Sequence, residues 1–407
     1  MLVGQFNDSF PPITDGVATL VRNYAHWITR APGGDHRCIV VTPDAPGHSD
    51  ASEIFEVIRY ASLPFPLRPP YRFGMPHLDP HLLLRLRAIP FDLIHAHAPF
   101  SAGQIARGLA RRRGIPLVAT FHSKLRDDIL PIVRSEALAD VLVGEVVRFY
   151  ESADAVWTVN EASAGTLREY GYRGPITVVR NGTDLPAADP AHRRSGACEA
   201  ACRILGIAER DPVFLYVGQH VWQKNVRLLL DALALLKAAM SRRDREGSPA
   251  GRPAFRMLFA GGGAAEEEMK RLAAELGLSN ETRFLGVVRD RTMLRGLYER
   301  ADLLLFPSVY DMSSLVMREA ASALCPTVAI AGSNTAEGIL DGENGFLSEE
   351  TPQAFADRVL RALDDPEGVR RAGLGAQRDF HRTWAEIAAQ AVGEYEDVIE
   401  RYRFWNR

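Results

Sequence analysis

The sequence predicts an α/β protein of two domains, each a parallel sheet flanked by helices. Three observations carry that prediction. Apolar strand-like runs alternate with amphipathic stretches along the chain, the pattern restarts near residue 213, and 407 residues are more than one hydrophobic core usually supports.

In the first half, strands are expected at LVGQF, RCIVVTP, FEVIRY, DLIHAH, PLVATFH, AVWTVN and ITVVRNG, with helical stretches such as VATLVRNYAHWIT and GQIARGLARRRG after the main ones. The second half offers VFLYVG, FRMLFAG, TRFLGVV, DLLLFPS and PTVAIAG. Between them DLPAADPAHRRSGACEA (184–200), rich in Pro, Ala and polar residues, reads as a linker. The polar stretch SRRDREGSPAGRPA (241–254) reads as a surface loop of the second domain, and the tail TWAEIAAQAVGEYEDVIERYRFWNR as a long helix able to fold back onto the first. The expected boundaries are therefore 1–185, 186–384 and a C-terminal helix at 385–407.

Apolar content of 46% and charged content of 24% belong to an ordinary globular protein, and a net charge of −3 gives no reason to expect nucleic acid as a partner. The opening MLVGQFNDSF runs into an apolar strand without a basic leader region, and no apolar run approaches the roughly 20 residues of a membrane span, so the cytoplasm is the expected compartment. PFPLRPPYRFGMPH (64–77), basic and aromatic, is the segment the sequence offers for peripheral contact with the inner face of a membrane; its prolines suit an irregular surface loop equally well. Cys38, Cys198, Cys202 and Cys325 fall in no disulfide or zinc spacing, and Cys198 and Cys202 read as two thiols on one helix.

Candidate chemistry concentrates in PSVYDMSSLVMREAASALCPTV (307–328). A helix beginning near Ser313 would present free N–H groups and its positive dipole end, a site for phosphate. Asp311 stands before that site and Glu319 inside the helix. Carboxylates repel phosphate, so they are aimed at hydroxyl groups on either side of it, as a sugar nucleotide would provide. In LYVGQHVWQKNVRLLLDAL, Lys224 sits where a strand leads into a helix and is placed to neutralise a diphosphate. Three glycines, Gly261 to Gly263, follow another strand and permit close approach of a nucleotide.

In SFPPITDGVATLVRN, Asp15 is a helix cap and Gly16 allows backbone to approach a ligand, ingredients that a plain turn shares. His122 falls just past the carboxyl end of a strand, where open parallel sheets bind ligands, and either bonds a sugar hydroxyl or ties its own loop. His95 and His97 alternate along a strand and share a side of the sheet. With no acid or cysteine to complete a metal set, packing and loop bonding is the expected role.

With these residues in hand the chain resembles the retaining glycosyltransferases of family 4, which includes sucrose synthase, sucrose-phosphate synthase, bacterial mannosyltransferases and diacylglycerol glucosyltransferases. PPITDGV, IHAHAPFSAG, ATFHS, VVRNGTD, VGQHVWQKN, FAGGG, ADLLLFPSVYD, REAASALCPTV and DGENGF occur in the family's order over nearly the whole length. FHSKLRDD and YDMSSLVMREAA point to its bacterial diacylglycerol glucosyltransferase-like group. The resemblance implies the GT-B architecture, two facing Rossmann-like domains with the donor in an inter-domain cleft. It implies that Glu319 binds the donor ribose and Asp311 the transferred sugar. Lys224 and the backbone of Ser313, Ser314 and Leu315 would hold the diphosphate, with Gln219 and Gly262 beside it. His122 would touch the sugar near the reacting carbon, and Gly16 would let its loop approach phosphate and acceptor. It also implies a nucleoside-diphosphate sugar and a hydroxyl acceptor as partners, with no metal and no cofactor beyond that donor.

Two positions depart from the family pattern. The first acid is usually Glu, and Asp311 is one methylene shorter. The arginine usual after the glycine of VGR is replaced by Gln219, which offers a hydrogen bond but no charge, unless Arg227 or His220 compensates. A phosphorylase, an epimerase, or a noncatalytic sugar-nucleotide binder on the same fold are the alternative readings.

Overall fold

A computed structural model describes residues 1–13, 15–31, 36–66, 71–191, 194–243 and 254–405. Most of the expected loop at 241–254 lies outside the described residues. The chain divides into two compact units, Met1–Gly182 with Trp384–Arg407, and Thr183–Thr383.

The first unit contains β1 (Leu2–Phe6), β2 (Arg37–Pro43), β3 (Glu56–Tyr60), β4 (Ser62–Pro64), β5 (Arg72–Gly74), β6 (Leu93–Ala96), β7 (Leu117–Phe121), β8 (Ala155–Thr158) and β9 (Thr177–Val178). Seven of them form one sheet in the order β3-β2-β1-β6-β7-β8-β9. Its pairings are all parallel, with Gln5 on β1 in register with His95 on β6. The central strands are apolar on both faces because helices cover both, so LIHA and LVATF are buried throughout. The helix Trp384–Trp405 belongs to this unit and buries Trp384, Ile387, Ala388, Ala391, Tyr395, Val398 and Ile399, a spacing of three and four residues that lays one stripe against the unit.

The second unit contains β10 (Val213–Val217), β11 (Arg256–Ala260), β12 (Thr282–Gly286), β13 (Leu303–Phe306), β14 (Thr327–Ile330) and β15 (Phe346–Ser348). These form a parallel sheet in the order β12-β11-β10-β13-β14-β15. In both sheets the strand order reverses once, between β1 and β6 and between β10 and β13. Loops leaving the carboxyl ends of those strands diverge and leave a crevice, the place where doubly wound sheets bind ligands.

Two expectations change. The stretch 184–200 is not a free linker: Leu185 and Ala188 are buried, Ala188 N donates to Ser322 O at 2.7 Å, and a helix starts at Gly196. Leu185 packs into the second unit's core, and Thr183 bridges to Thr383, so chain entry and exit lie side by side. The irregular loop expected at 64–77 contains half of an antiparallel hairpin, β4 with β5, whose residues 67–70 lie outside the described set. Leu63 and Phe73 stand opposite each other there and are exposed. No helix among the described residues is long and apolar enough to cross a membrane.

Candidate active site

The second unit gathers most of the expected residues at the reversal point of its sheet. β10 runs out through Gly218 and the exposed Gln219 into a short turn, Trp222–Lys224, while β13 runs out through Pro307 and Ser308. Lys224 Nζ donates to Asp311 Oδ1 at 2.7 Å, and Ser308 Oγ donates to Asp311 Oδ2 at 2.5 Å. The Lys224 ammonium lies 5.8 Å from the centre of the Phe306 ring. Side-chain exposures of 13% for Lys224 and 20% for Asp311 leave the pair partly desolvated yet reachable by a ligand. The shorter acid is thus a fixed one, oriented by two donors.

The helix after it spans Leu315–Ser322. It starts two residues later than the sequence suggests, because Ser314 is still extended and serves as its N-cap. The Ser314 side chain makes no cap hydrogen bond, so it leaves the first-turn N–H groups available to an incoming acceptor. One and a half turns in, Glu319 is held at both oxygens: Arg291 Nη2 donates to Oε1 and Tyr298 OH to Oε2, each at 2.8 Å. Asp184 grips the same guanidinium through two hydrogen bonds, one of 2.9 Å from Arg291 Nε. Burial raises the Glu319 pKa, and the Arg291 charge and the hydrogen bonds from Arg291 and Tyr298 oppose the rise. A carboxylate has about four lone-pair sites and these partners use two, so Glu319 retains capacity for a pair of ligand hydroxyls.

The two residues that could compensate for Gln219 are placed differently. Arg227 is exposed and stacks 4.9 Å from the centre of the Trp222 ring. His220 is fully buried among Tyr216, Phe259 and Phe284, and burial lowers its pKa despite a 3.2 Å contact from Nδ1 to Glu266.

The glycine run after β11 divides by role. A side chain on Gly261 would strike the carbonyl of Gly218, and one on Gly263 the backbone of His220, so these two are glycine because the two loops cross in contact. Gly262 faces only ordinary contacts with Val287 and Glu266, and the packing leaves its lack of a side chain unexplained. Among the described residues, no three His, Cys, Asp or Glu side chains gather closely enough to hold a metal ion.

Gly16 and His122 belong to the first unit. Gly16 opens the helix Gly16–Thr29 behind Asp15, whose Oδ1 accepts from Ala18 N at 2.7 Å, and a side chain at Gly16 would meet open space. His122 follows β7 and is half-buried, and burial holds its pKa far down, at about 3. Its Nε2 lies 3.1 Å from Nδ1 of the buried His97. His95 and His97 are indeed bonded to protein groups, His95 to Tyr395 and Thr120 and His97 to Gln5 and His122. Sequence reasoning missed Ser308, three residues before the Asp311 it holds, and Arg291, Tyr298, Gln5 and Tyr395, which hold the expected residues from farther along the chain.

Comparison with known proteins fits this geometry. The family described as "Glycosyl transferases group 1" matches residues 199–379, and that described as "Glycosyltransferase Family 4" matches residues 14–186. The D-inositol 3-phosphate glycosyltransferase 2 of Catenulispora acidiphila is 30% identical over 325 residues, 77% of this chain and 72% of that protein. Among solved structures, Anabaena Alr3699/HepE in complex with UDP superposes with a TM-score of 0.73 at 20% identity, covering 98% of this chain and 100% of that one. Sucrose-phosphate synthase from Thermosynechococcus elongatus gives 0.75 at 20% identity, covering 98% and 99%. The two parallel-sheet units, the matches to both halves and the relative 30% identical over 77% of this chain together place this chain in glycosyltransferase family 4, with the GT-B fold.

Proposed function

We propose that this glycosyltransferase moves a hexose from a nucleoside-diphosphate sugar to an acceptor hydroxyl with retention of anomeric configuration and without a metal ion. The observation that carries the reading is the Lys224–Asp311 pair beside an uncapped helix start, with Glu319 pre-oriented one and a half turns in. Glu319 takes the ribose hydroxyls. Lys224 and the N–H groups of the Ser314–Leu315 turn take the diphosphate, and Gln219 and the backbone at Gly262 lie against it. Asp311 accepts from a hydroxyl of the transferred sugar. In the first unit, His122 bonds another hydroxyl of that sugar and the loop at Gly16 admits the acceptor.

No carboxylate in this assignment acts as a nucleophile, so the diphosphate departs on the face where the acceptor attacks. The bond from the anomeric carbon to the diphosphate oxygen breaks, the bond to the acceptor oxygen forms, and the acceptor proton passes to the departing oxygen. The protein supplies position and charge stabilisation. UDP is the first nucleotide to test because a structural neighbour holds it.

The test is thermal stabilisation by UDP, GDP and ADP and their hexose forms, followed by NMR of the sugar released or transferred. A selective shift with an anomer matching the donor supports the reading, and an inverted product overturns retention. Glu319→Ala is expected to weaken nucleotide binding about tenfold or more, since it removes the hydrogen bonds of a charged acceptor; unchanged affinity would remove Glu319 from the site. Gln219 favours one second reading, a binder without turnover, because the usual cation is missing there. That reading predicts a nucleotide shift with neither hydrolysis nor transfer.

A further inference from the structure

Behind His122 runs a continuous chain of buried polar groups that the family assignment does not use. Gln5, His95, His97 and Thr120 are each no more than 4% exposed, and Tyr395 is fully buried on the C-terminal helix. His122 Nε2 and His97 Nδ1 are 3.1 Å apart, and His97 Nε2 and Gln5 Oε1 2.6 Å. Gln5 Nε2 lies 3.2 Å from Tyr395 OH, which is 2.6 Å from His95 Nδ1; His95 Nε2 is 2.6 Å from Thr120 Oγ1.

A neutral imidazole has one N–H and one lone pair, so fixing one proton in this chain fixes the others. The 2.6 Å contact between Gln5 and His97 Nε2 suits an oxygen acceptor and is too short for an amide N–H against a ring nitrogen, so the Gln5 oxygen faces His97 and its amide nitrogen donates to Tyr395 OH. Accepting there, the phenol gives its single proton to His95 Nδ1 across the short contact. His97 must therefore carry its proton on Nε2 and accept at Nδ1, and the donor to Nδ1 is His122 Nε2–H. His122 Nδ1 makes no hydrogen bond among the described residues.

We propose that Tyr395 and Gln5, acting through His97, are positioning residues that hold His122 as the tautomer protonated on Nε2, so that Nδ1 meets the ligand as a hydrogen-bond acceptor. The second half of this statement rests on the proposed transfer reaction. Within it, His122 receives a hydrogen bond from a sugar hydroxyl and does not protonate the leaving diphosphate. The chain also gives the C-terminal helix a function: the phenol of Tyr395 determines the direction of every proton between it and His122, while its ring stacks on Trp157 at 5.0 Å.

The experiment is 15N NMR of the histidine rings in the ligand-free, full-length protein, with His122→Asn assigning the His122 signals. The expected wild-type pattern is a protonated Nε2 and a bare Nδ1 at His122; the opposite tautomer overturns the proposal outright. Tyr395→Phe keeps the ring stack and removes the oriented phenol, and Gln5→Leu removes the acceptor for His97. Both are expected to give mixed tautomers at His97 and His122, whereas Gln5→Glu keeps an acceptor opposite His97 and restores the single form at His122. A single unchanged form in Tyr395→Phe and Gln5→Leu refutes the relay, and should both variants fail to fold, the wild-type tautomer decides alone. Under turnover, an even tautomer mixture halves the competent population, so Tyr395→Phe is expected to lower kcat about twofold with nucleotide affinity unchanged. Absence of nucleotide binding in the wild type counts against the transfer reaction and leaves the ring tautomers as an independent result.

Discussion

Asp8 shows how a single side chain in this protein sets a pH dependence. Its carboxyl follows β1, where Oδ1 accepts from Ser101 Oγ and, at 3.1 Å, from Ala102 N, while Oδ2 is buried without a partner among the described residues. Burial raises its pKa from 3.8 to about 6, against the lowering effect of those hydrogen bonds. A folded-state pKa above the unfolded one means that the fold favours the protonated acid. The contribution is fully present below pH 3.8 and is lost as pH rises through about 6, leaving a cost of about 3 kcal/mol at neutral pH. Asp8→Asn keeps the acceptor oxygen and removes the charge, so it is expected to be more stable than the wild type at pH 7.5, with the gap closing by pH 4. Melting temperatures of both proteins across that range check this; a gap independent of pH would show that Asp8 carries no such cost. At this scale the sequence revealed the residues with distinctive local surroundings. Lys224, Asp311 and Glu319 stand at strand ends and a helix start, and their neighbours in sequence announce them. Arg291, Tyr298, Gln5 and Tyr395 are hydrogen-bond partners supplied by chain folding, and nothing local marks them, whereas Ser308 lies three residues before Asp311 in a stretch the sequence does mark.

At the scale of elements, the loop after β11 separates what folding requires from what a ligand requires. Gly261 and Gly263 lie under the backbone of Gly218 and His220, and Gly261 also takes φ +146°, a conformation costly for any other residue. Gly263→Ala forces two backbone segments apart and is expected to cost about 2–4 kcal/mol of stability, within the range of severe single substitutions. Gly262→Ala has room for its methyl and is expected to leave the melting temperature nearly unchanged while weakening nucleotide binding severalfold. Calorimetry and nucleotide titration on the two variants distinguish the roles; equal loss of stability in both would make the whole run structural. The glycine pattern was legible in the sequence, but its division was not, since the crossing loop comes from β10, about forty residues earlier in the chain. The strands were legible for a simpler reason. The central ones, buried on both faces, are short apolar runs between turn residues. The edge strand β15 escaped because its three residues, Phe346–Ser348, follow the Gly342 and Gly345 turns and read as more loop.

At the scale of the whole molecule, the two α/β units were legible because the strand–helix alternation restarts, but the path of the chain between them was not. Pro, Ala and polar residues in 184–200 suggested a linker, whereas Leu185 enters the second unit's core and Asp184 grips Arg291. Thr183 N donates to Arg382 O at 2.9 Å, so the second unit is closed at the point where the chain enters and leaves it. Its sheet has its own core of Phe214, Phe259, Leu304 and their neighbours, and it carries Lys224, Asp311, Glu319 and all of the partners that orient them. A fragment spanning 183–383 is therefore expected to unfold in one cooperative transition and to retain nucleotide affinity within about tenfold of the full chain. The complementary cut behaves differently. Removing residues 384–407 strips Tyr395 from Gln5 and His95 and uncovers the stripe that Trp384, Ile387 and Val398 bury, leaving buried polar groups unpaired and apolar surface in water. That truncation is expected to cost the first unit its cooperative transition while the transition of the second persists. Differential scanning calorimetry of the full chain, the fragment and the truncation, each with and without UDP, tests both statements together. A fragment that melts without cooperativity, or a truncation in which both transitions survive, would mean that the stability of the units is shared rather than held separately.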